Sequence, residues 1–297
     1  MNCAIIGFGS IGQRHLKILK KSNFFENIYI ISSRIKKKNF FSSIYNLLDK
    51  KIDYFVVCNE THKHFKTFNF IEKNFSNKIV MIEKPLFHQK KFIKNNKNTY
   101  YVGYNLRFNP IVIFAKNFFR NKKVFYLDMY CKTFLPHWRI GRNYRTIYSS
   151  SKNKGGGVLN DLSHELDLMN YLFGKYRVDS SYSSRISNLD ISSDDICVFF
   201  GKFDKKIFFN VNLNFFSHIE SRKFLIVSKN ISAEFDLINN QIFISRKNKL
   251  KKIMFKIDRD QEYLQMHKNI LFHNGQGACH LKDAQFILKI IDKIKNK

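Results

Sequence analysis

The sequence predicts an α/β fold: an N-terminal doubly wound parallel sheet, followed by an α+β part built on an open antiparallel sheet. Three observations predict it. Short apolar runs alternate with amphipathic, helix-like stretches over the first third of the chain. A glycine-rich turn joins the first of those runs to its helix. From about residue 176 the pattern changes to successive β runs separated only by short polar turns.

The elements follow in order. Residues 2–6, "NCAII", read as a short buried strand, and "GFGSIGQRHLKILK" then places Ile11, Leu16 and Leu19 at helical spacing. "IYIIS" (28–32) and "YFVVC" (54–58) are strands, and "HFKTFNFIEKNF" is helix-like. "KIVMIEKPL" (78–86) is a further strand that ends in Lys-Pro. The runs "ICVFFGKF", "KIFFNVNLNFF", "KFLIVS", "ISAEFDLI" and "QIFISR" have no helical pattern between them, so an antiparallel sheet is expected. "LKDAQFILKIIDKIKNK" closes the chain as an amphipathic helix. Two domains are expected, 1–108 and 109–297, with no internal repeat and no low-complexity linker.

The totals bound the function. A chain of 297 residues that is 44% apolar supports two cores. No run approaches the roughly 18 apolar residues that cross a bilayer. The N-terminus enters a strand at once, without a charged leader, so a cytoplasmic protein is expected. Five dispersed cysteines without CxxC spacing fit free thiols in a reducing compartment. The net charge of +29 is spread in pairs and triples and accompanies abundant Asn, Ile, Phe and Tyr. An A/T-rich coding bias explains that profile, so neither nucleic acid nor a membrane is an expected partner, whereas anionic substrates would be well served. His62, His64, His164, His273 and His280 lack metal-ligand spacing, and no GxSxG elbow is present.

Gly7, Gly9 and Gly12 form GxGxxG, with Ser10 and Ile11 between the last two, directly after a strand. The glycines suit a tight turn, close approach to a pyrophosphate and close helix–strand packing, so a dinucleotide site is expected. The second strand ends in Ser32, Ser33 and Arg34 rather than in a carboxylate. A hydroxyl and a guanidinium suit a 2′-phosphate, which favours NADP over NAD. The alternative is that Arg34 simply belongs to the basic loop "RIKKK".

With "GFGSIGQRH", "CNETHKH", "EKPL", "GYNLRFNP" and "GGGVLNDLSHELD" in this order, the chain resembles the Gfo/Idh/MocA oxidoreductases over nearly its full length. The resemblance implies a pyridine-nucleotide enzyme that acts on a sugar or sugar derivative, with a Rossmann domain and an open sheet through which such proteins commonly oligomerise. It implies a catalytic role for Lys84 and His164, a cis peptide before Pro85, and a place near the cofactor for Asn59, His64 and Glu83. Glu60 stands where the family often has proline. The stretch from "LPHWRIGRNYR" to "NYLFG" looks like a subgroup associated with surface-polysaccharide sugars.

The residues allow that chemistry. Lys84, at the C-terminal end of a parallel strand, faces the region where open α/β sheets bind ligands. In the helix at 155–174, Leu159, Leu162, Leu166, Met169 and Phe173 form a core stripe, and Asn160, His164, Asp167 and Tyr171 form a polar one. His164, with an ordinary pKa of about 6.5, can take and return a proton. Asp161 or Asp167 could orient it; Asp161 could equally cap the helix, and Asn160 could bind a hydroxyl. The triple glycine serves either close backbone approach or a flexible loop. Trp138, Arg139, Arg142, Tyr144 and Arg145 suggest stacking on rings and a grip on an anion, with Tyr104 and Arg107 as further substrate contacts. The rival from another class is a non-catalytic regulator, sensitive to sugar or redox state, on the same fold.

Overall fold

The computed structural model describes residues 1–33, 38–91, 93, 96–139, 141–204 and 206–296. The chain forms two compact units. Unit 1 holds Met1–Phe108 and Asp258–Gln285, and unit 2 holds Asn109–Ile257 and Phe286–Lys297. The second domain expected to run unbroken over 109–297 is therefore interrupted: a late segment returns to the first.

Unit 1 begins with β1 (Asn2–Ile6), α1 (Ser10–Ser22), β2 (Asn27–Ile31), β3 (Phe40–Phe41), β4 (Tyr54–Val57), α2 (His64–Asn74), β5 (Ile79–Ile82) and β6 (Thr99–Val102). These strands pair in parallel in the order β3-β2-β1-β4-β5-β6. Strand order reverses between β1 and β4, the point at which doubly wound sheets bind ligands. The central strands are apolar on both faces because both are covered; all four residues of β4 are buried. α1 ends in Asn23 in the left-handed region at φ 55°, with Lys20 and Lys21 in its last turn, which suits the negative end of the helix dipole.

Unit 2 contains α3 (Pro110–Phe119), β7 (Val124–Phe134), α4 (Val158–Asp161), α5 (Ser163–Phe173) and β8 (Tyr176–Ser184). It continues through β9 (Ile196–Phe203), β10 (Phe208–Asn214), β11 (Phe216–Ser228), β12 (Ser232–Asp236), β13 (Gln241–Arg246) and β14 (Lys249–Met254). The sheet runs β14-β13-β12-β11-β7-β10-β9-β8. It is antiparallel except where β10 lies parallel to β7, a crossover that turn spacing alone does not reveal. Alternate residues of β9 and β10 are buried, and Phe199, Phe203 and Phe209 form an aromatic core with Tyr176.

The returning segment supplies α6 (Arg259–Phe272) and β15 (Cys279–His280), neither expected from the sequence. β15 pairs antiparallel with the outer edge of β6. α7 (Leu281–Lys295) then leads from unit 1 into unit 2.

Candidate active site

The functional residues fall into two groups, one in each unit. In unit 1, the turn after β1 has the shape that its glycines dictate. Gly7 adopts φ +103°, and a Cβ there would lie 2.5 Å from the Asn59 nitrogen. A Cβ on Gly12 would lie 2.3 Å from the Gly7 oxygen, so α1 can meet the turn only through glycine. The Cys58 thiol donates to that same oxygen at 3.1 Å. Gly9 differs: a Cβ there would meet nothing within 4 Å. Gly9 is also the N-cap of α1, which has neither a side-chain cap nor an acidic residue in its first turn. An open space in front of an uncapped helix N-terminus fits a bound pyrophosphate, with Ser10 and Ile11 in the first turn beside it. Ser33 is exposed beyond the end of β2, and Arg34 lies outside the described residues.

Asn59 and His64 follow β4. The Asn59 amide donates to Thr67 Oγ1 at 2.9 Å, and its buried Oδ1 has no hydrogen-bond partner among the described residues. His64 is buried with both ring nitrogens on main-chain carbonyls: Nε2 at 3.0 Å from Asn59, and Nδ1 at 3.1 Å from both Pro85 and Leu86. Burial pushes its pKa down, against the pull of those carbonyls. His64 thus ties the loop after β4 to the segment after β5. Glu60 keeps the turn proline-like without proline, with φ −64°, and pairs with Lys63 at 2.8 Å.

Lys84 follows β5, and its peptide bond to Pro85 is cis. The Glu83 carboxylate accepts from the Lys84 main-chain N–H at 3.3 Å and contacts His15 Nε2 at 3.0 Å. Tyr104 and Arg107 are buried rather than presented to a ligand. The Arg107 guanidinium reaches the Ala278 carbonyl at 3.0 Å and Asp283 at 3.2 Å, which fixes the returning segment of unit 1.

In unit 2, the helix expected over 155–174 is two helices, broken at Leu162 with φ −94° and ψ 29°. The turn before it is rigidly specified. Gly155 and Gly157 adopt φ +81° and +120°. A Cβ on Gly156 would strike the Tyr148 oxygen at 2.2 Å, and one on Gly157 the Asp194 carboxylate at 2.2 Å. Asp194 in turn caps α4, accepting from Val158 N through its carbonyl and from Leu159 N through its carboxylate. The flexible-loop reading of the triple glycine therefore gives way to a close-packed turn.

The predicted polar stripe does not face solvent either. From Gly155 to Asn170 every residue is buried except His164. Asn160 clamps the turn by donating to Gly155 O at 2.9 Å, and its Oδ1 is buried without a partner. Asp161 accepts from the Tyr148 hydroxyl. Burial and the Asp161 charge push the Tyr148 phenol far above its ordinary range, so it stays a donor. Asp161 does not cap α5, whose N-cap is Leu162. Glu165 is buried against the Arg222 guanidinium at 2.7 Å, which anchors α5 to β11. Tyr148 and Arg222 escaped the sequence reading because neither carries a spacing signal relative to 155–170.

The basic stretch before the turn divides. Arg139 and Arg142, with Pro136, His137 and Gly141, line an open cavity of about 600 Å³. Trp138 instead turns inward, donating to Thr133 Oγ1 at 2.7 Å with its ring edge-on to Phe215. Arg145 pairs with Asp190 at 2.8 Å, and the Tyr144 hydroxyl accepts from Asp190 N at 3.2 Å. Trp138, Tyr144 and Arg145 thus make contacts within unit 2 and do not line that cavity.

Comparison with known proteins agrees with this geometry. The profile for the oxidoreductase family's NAD-binding Rossmann fold matches residues 1–101, and that for the family's C-terminal alpha/beta domain matches 123–295. No curated protein sequence matches. Among solved structures, a levoglucosan dehydrogenase in complex with NADH is similar with a TM-score of 0.86 at 15% identity, covering 100% of this chain and 96% of the other. The UDP-N-acetylglucosamine 3-dehydrogenase GnnA from Acidithiobacillus ferrooxidans is similar at 0.77 and 14%, covering 100% and 97%. The WlbA dehydrogenase from Bordetella pertussis, in complex with NADH and UDP-GlcNAcA, gives 0.76 and 15%, covering 99% and 95%. Among the described residues no helix is long and apolar enough to cross a membrane. With both units matched, the chain belongs to the Gfo/Idh/MocA oxidoreductase family, with an NAD-binding Rossmann fold followed by the family's C-terminal alpha/beta domain.

Proposed function

We propose that this protein is a sugar dehydrogenase or reductase that prefers NADP and acts on an acidic sugar or nucleotide sugar, in the synthesis of surface polysaccharide. The observation that carries the reading is the retention of both proton-handling side chains: Lys84 at the end of β5, and His164 as the sole member of 155–170 that is not buried. A regulator needs neither. The turn at Gly7, Gly9 and Gly12 and the first turn of α1 would hold the pyrophosphate, with Asn59, Glu83 and the His64-braced loop around the rest of the dinucleotide. When bound, the cofactor supplies a hydride donor or acceptor at its nicotinamide ring. The Lys84 ammonium donates a hydrogen bond to the oxygen on the reacting carbon, and His164 takes or returns its proton. The Tyr148 hydroxyl donates to Asp161, three residues before that histidine. The buried Asn160 Oδ1 is an acceptor in reserve for a substrate hydroxyl.

Arg139 and Arg142 support an anionic substrate, and the neighbour bound to UDP-GlcNAcA supports a nucleotide sugar. Ser33 and Arg34 support NADP, although the levoglucosan dehydrogenase and WlbA structures cited above hold NADH. The exposed Tyr182, Phe200 and Phe208 on β8–β10 support homo-oligomerisation through the open sheet. The test is fluorescence titration with NADPH and NADH, followed by a panel of sugars and nucleotide sugars. Lys84→Ala should bind the cofactor but lose turnover by about 100-fold or more. Unchanged turnover would remove Lys84 from the reaction.

A further inference from the structure

Beneath Lys84, unit 1 buries a line of four groups that the reaction itself does not use. The Tyr54 oxygen lies 2.8 Å from Nδ1 of His267, and Nε2 of His267 lies 2.8 Å from Nδ1 of His15. Nε2 of His15 lies 3.0 Å from Glu83 Oε1, and Glu83 Oε2 accepts from the Lys84 main-chain N–H at 3.3 Å. Tyr54, His267 and His15 have no exposed surface, and Glu83 is buried. Gly103 makes room for the carboxylate, since a Cβ there would stand 2.7 Å from Oε1.

The line has a direction. Among the described residues, the hydroxyl of Tyr54 has His267 Nδ1 as its hydrogen-bond partner. A buried O–H must donate, so His267 Nδ1 is an acceptor. Burial, reinforced by the neighbouring His15, pushes the His267 pKa far down, so His267 is neutral and carries its proton on Nε2. That N–H donates to His15 Nδ1, which leaves His15 to donate from Nε2 to Glu83. Each step forces the next, and the last acceptor is Glu83 Oε1, which carries no proton while it receives the His15 N–H. Burial pushes Cys58 and Tyr263 up, Tyr263 to about 12, and pushes His64 down.

We infer that Tyr54, His267 and His15 form a one-way hydrogen-bond relay that holds Glu83 Oε1 as an acceptor while Oε2 takes the Lys84 main-chain N–H, making all four positioning residues for Lys84. The functional half of this inference rests on the proposed role of Lys84. The relay supplies orientation from α1, β4 and α6 at once, and none of its members touches the reacting atoms.

The test uses the full-length protein with 15N-labelled histidine and backbone. Two-bond 1H–15N correlations should show both His15 and His267 as Nε2–H tautomers at neutral pH. A proton on Nδ1 of either ring would overturn the relay. Tyr54→Phe removes only the first donor. It should mix the tautomers of both rings and speed amide exchange at Lys84 by roughly three- to tenfold, the weight of one hydrogen bond. Phe25→Leu is the packing control, because the Phe25 ring stacks on that of Tyr54 and carries no hydrogen-bonding group. It should leave the tautomers as they are, and the same tautomer change in both variants would reduce the line to ordinary core packing. Failure of the catalytic reading is separable: Lys84→Ala would then retain turnover while the tautomer pattern stood.

Discussion

Two triple-glycine segments can be compared within this chain, and they do opposite things. At 155–157 the space around Gly156 and Gly157 is already filled by the protein, by the Tyr148 and Ser149 carbonyls and the Asp194 carboxylate. At 7–12, Gly7 and Gly12 are filled in the same way, but Gly9 faces nothing within 4 Å. The lesson is that a glycine marks close approach without saying what approaches. At Gly156 and Gly157 the neighbour is the chain itself; at Gly9 the room is left over, at an uncapped helix N-terminus.

Substitution by alanine breaks or sharpens that contrast. Gly157→Ala combines φ +120° with a collision against the carboxylate that caps α4. It should destabilise unit 2 by about 2–4 kcal/mol in chemical denaturation. Gly12→Ala, pressed on the Gly7 carbonyl, should cost about 1–3 kcal/mol. Gly9→Ala should change stability by less than about 1 kcal/mol, because φ −75° suits alanine and the space is open. It should nevertheless weaken NADH binding about tenfold, ~1.4 kcal/mol. Full binding by Gly9→Ala would mean that the open space is not the pyrophosphate site.

The smallest effect is with acid. The folded pKa of His64 is depressed by burial, so below the ordinary value of about 6.5 the unfolded chain takes up a proton that the folded chain refuses. Its stabilising contribution is complete above that value and is lost as pH falls toward the folded pKa. Hydrogen exchange, corrected for intrinsic rates, should therefore accelerate around 59–64 and 84–86 between pH 7 and 5. The turn at 155–161, held by main-chain contacts and Asp194, should be spared.

Sequence patterning made the strand-and-helix order of the Rossmann sheet legible, because parallel strands buried on both faces read as unbroken apolar runs. Motifs singled out Gly9, Lys84 and His164 as candidates. Patterning did not expose α6, whose buried face carries the polar Glu262 and His267 and so shows no clean apolar stripe, or the break at Leu162, which falls inside an uninterrupted apolar stripe. His15 and His267 lie 252 residues apart and become a pair only in the fold. The buried state of Asp161, Glu165 and Asp167 was equally hidden: helical periodicity says which residues share a face, and Tyr148 and Arg222, arriving from elsewhere, decide whether that face is wet.

The return of residues 258–285 to unit 1 also sets a timetable for synthesis. A nascent chain emerges N-terminus first, and domains generally fold as they emerge. Here the sheet begun at Asn2 gains its outermost strand, and His15 gains its histidine partner, only after nearly the whole of unit 2 has been translated. The nucleotide-binding half therefore keeps the edge of β6 uncovered until that late segment has been made.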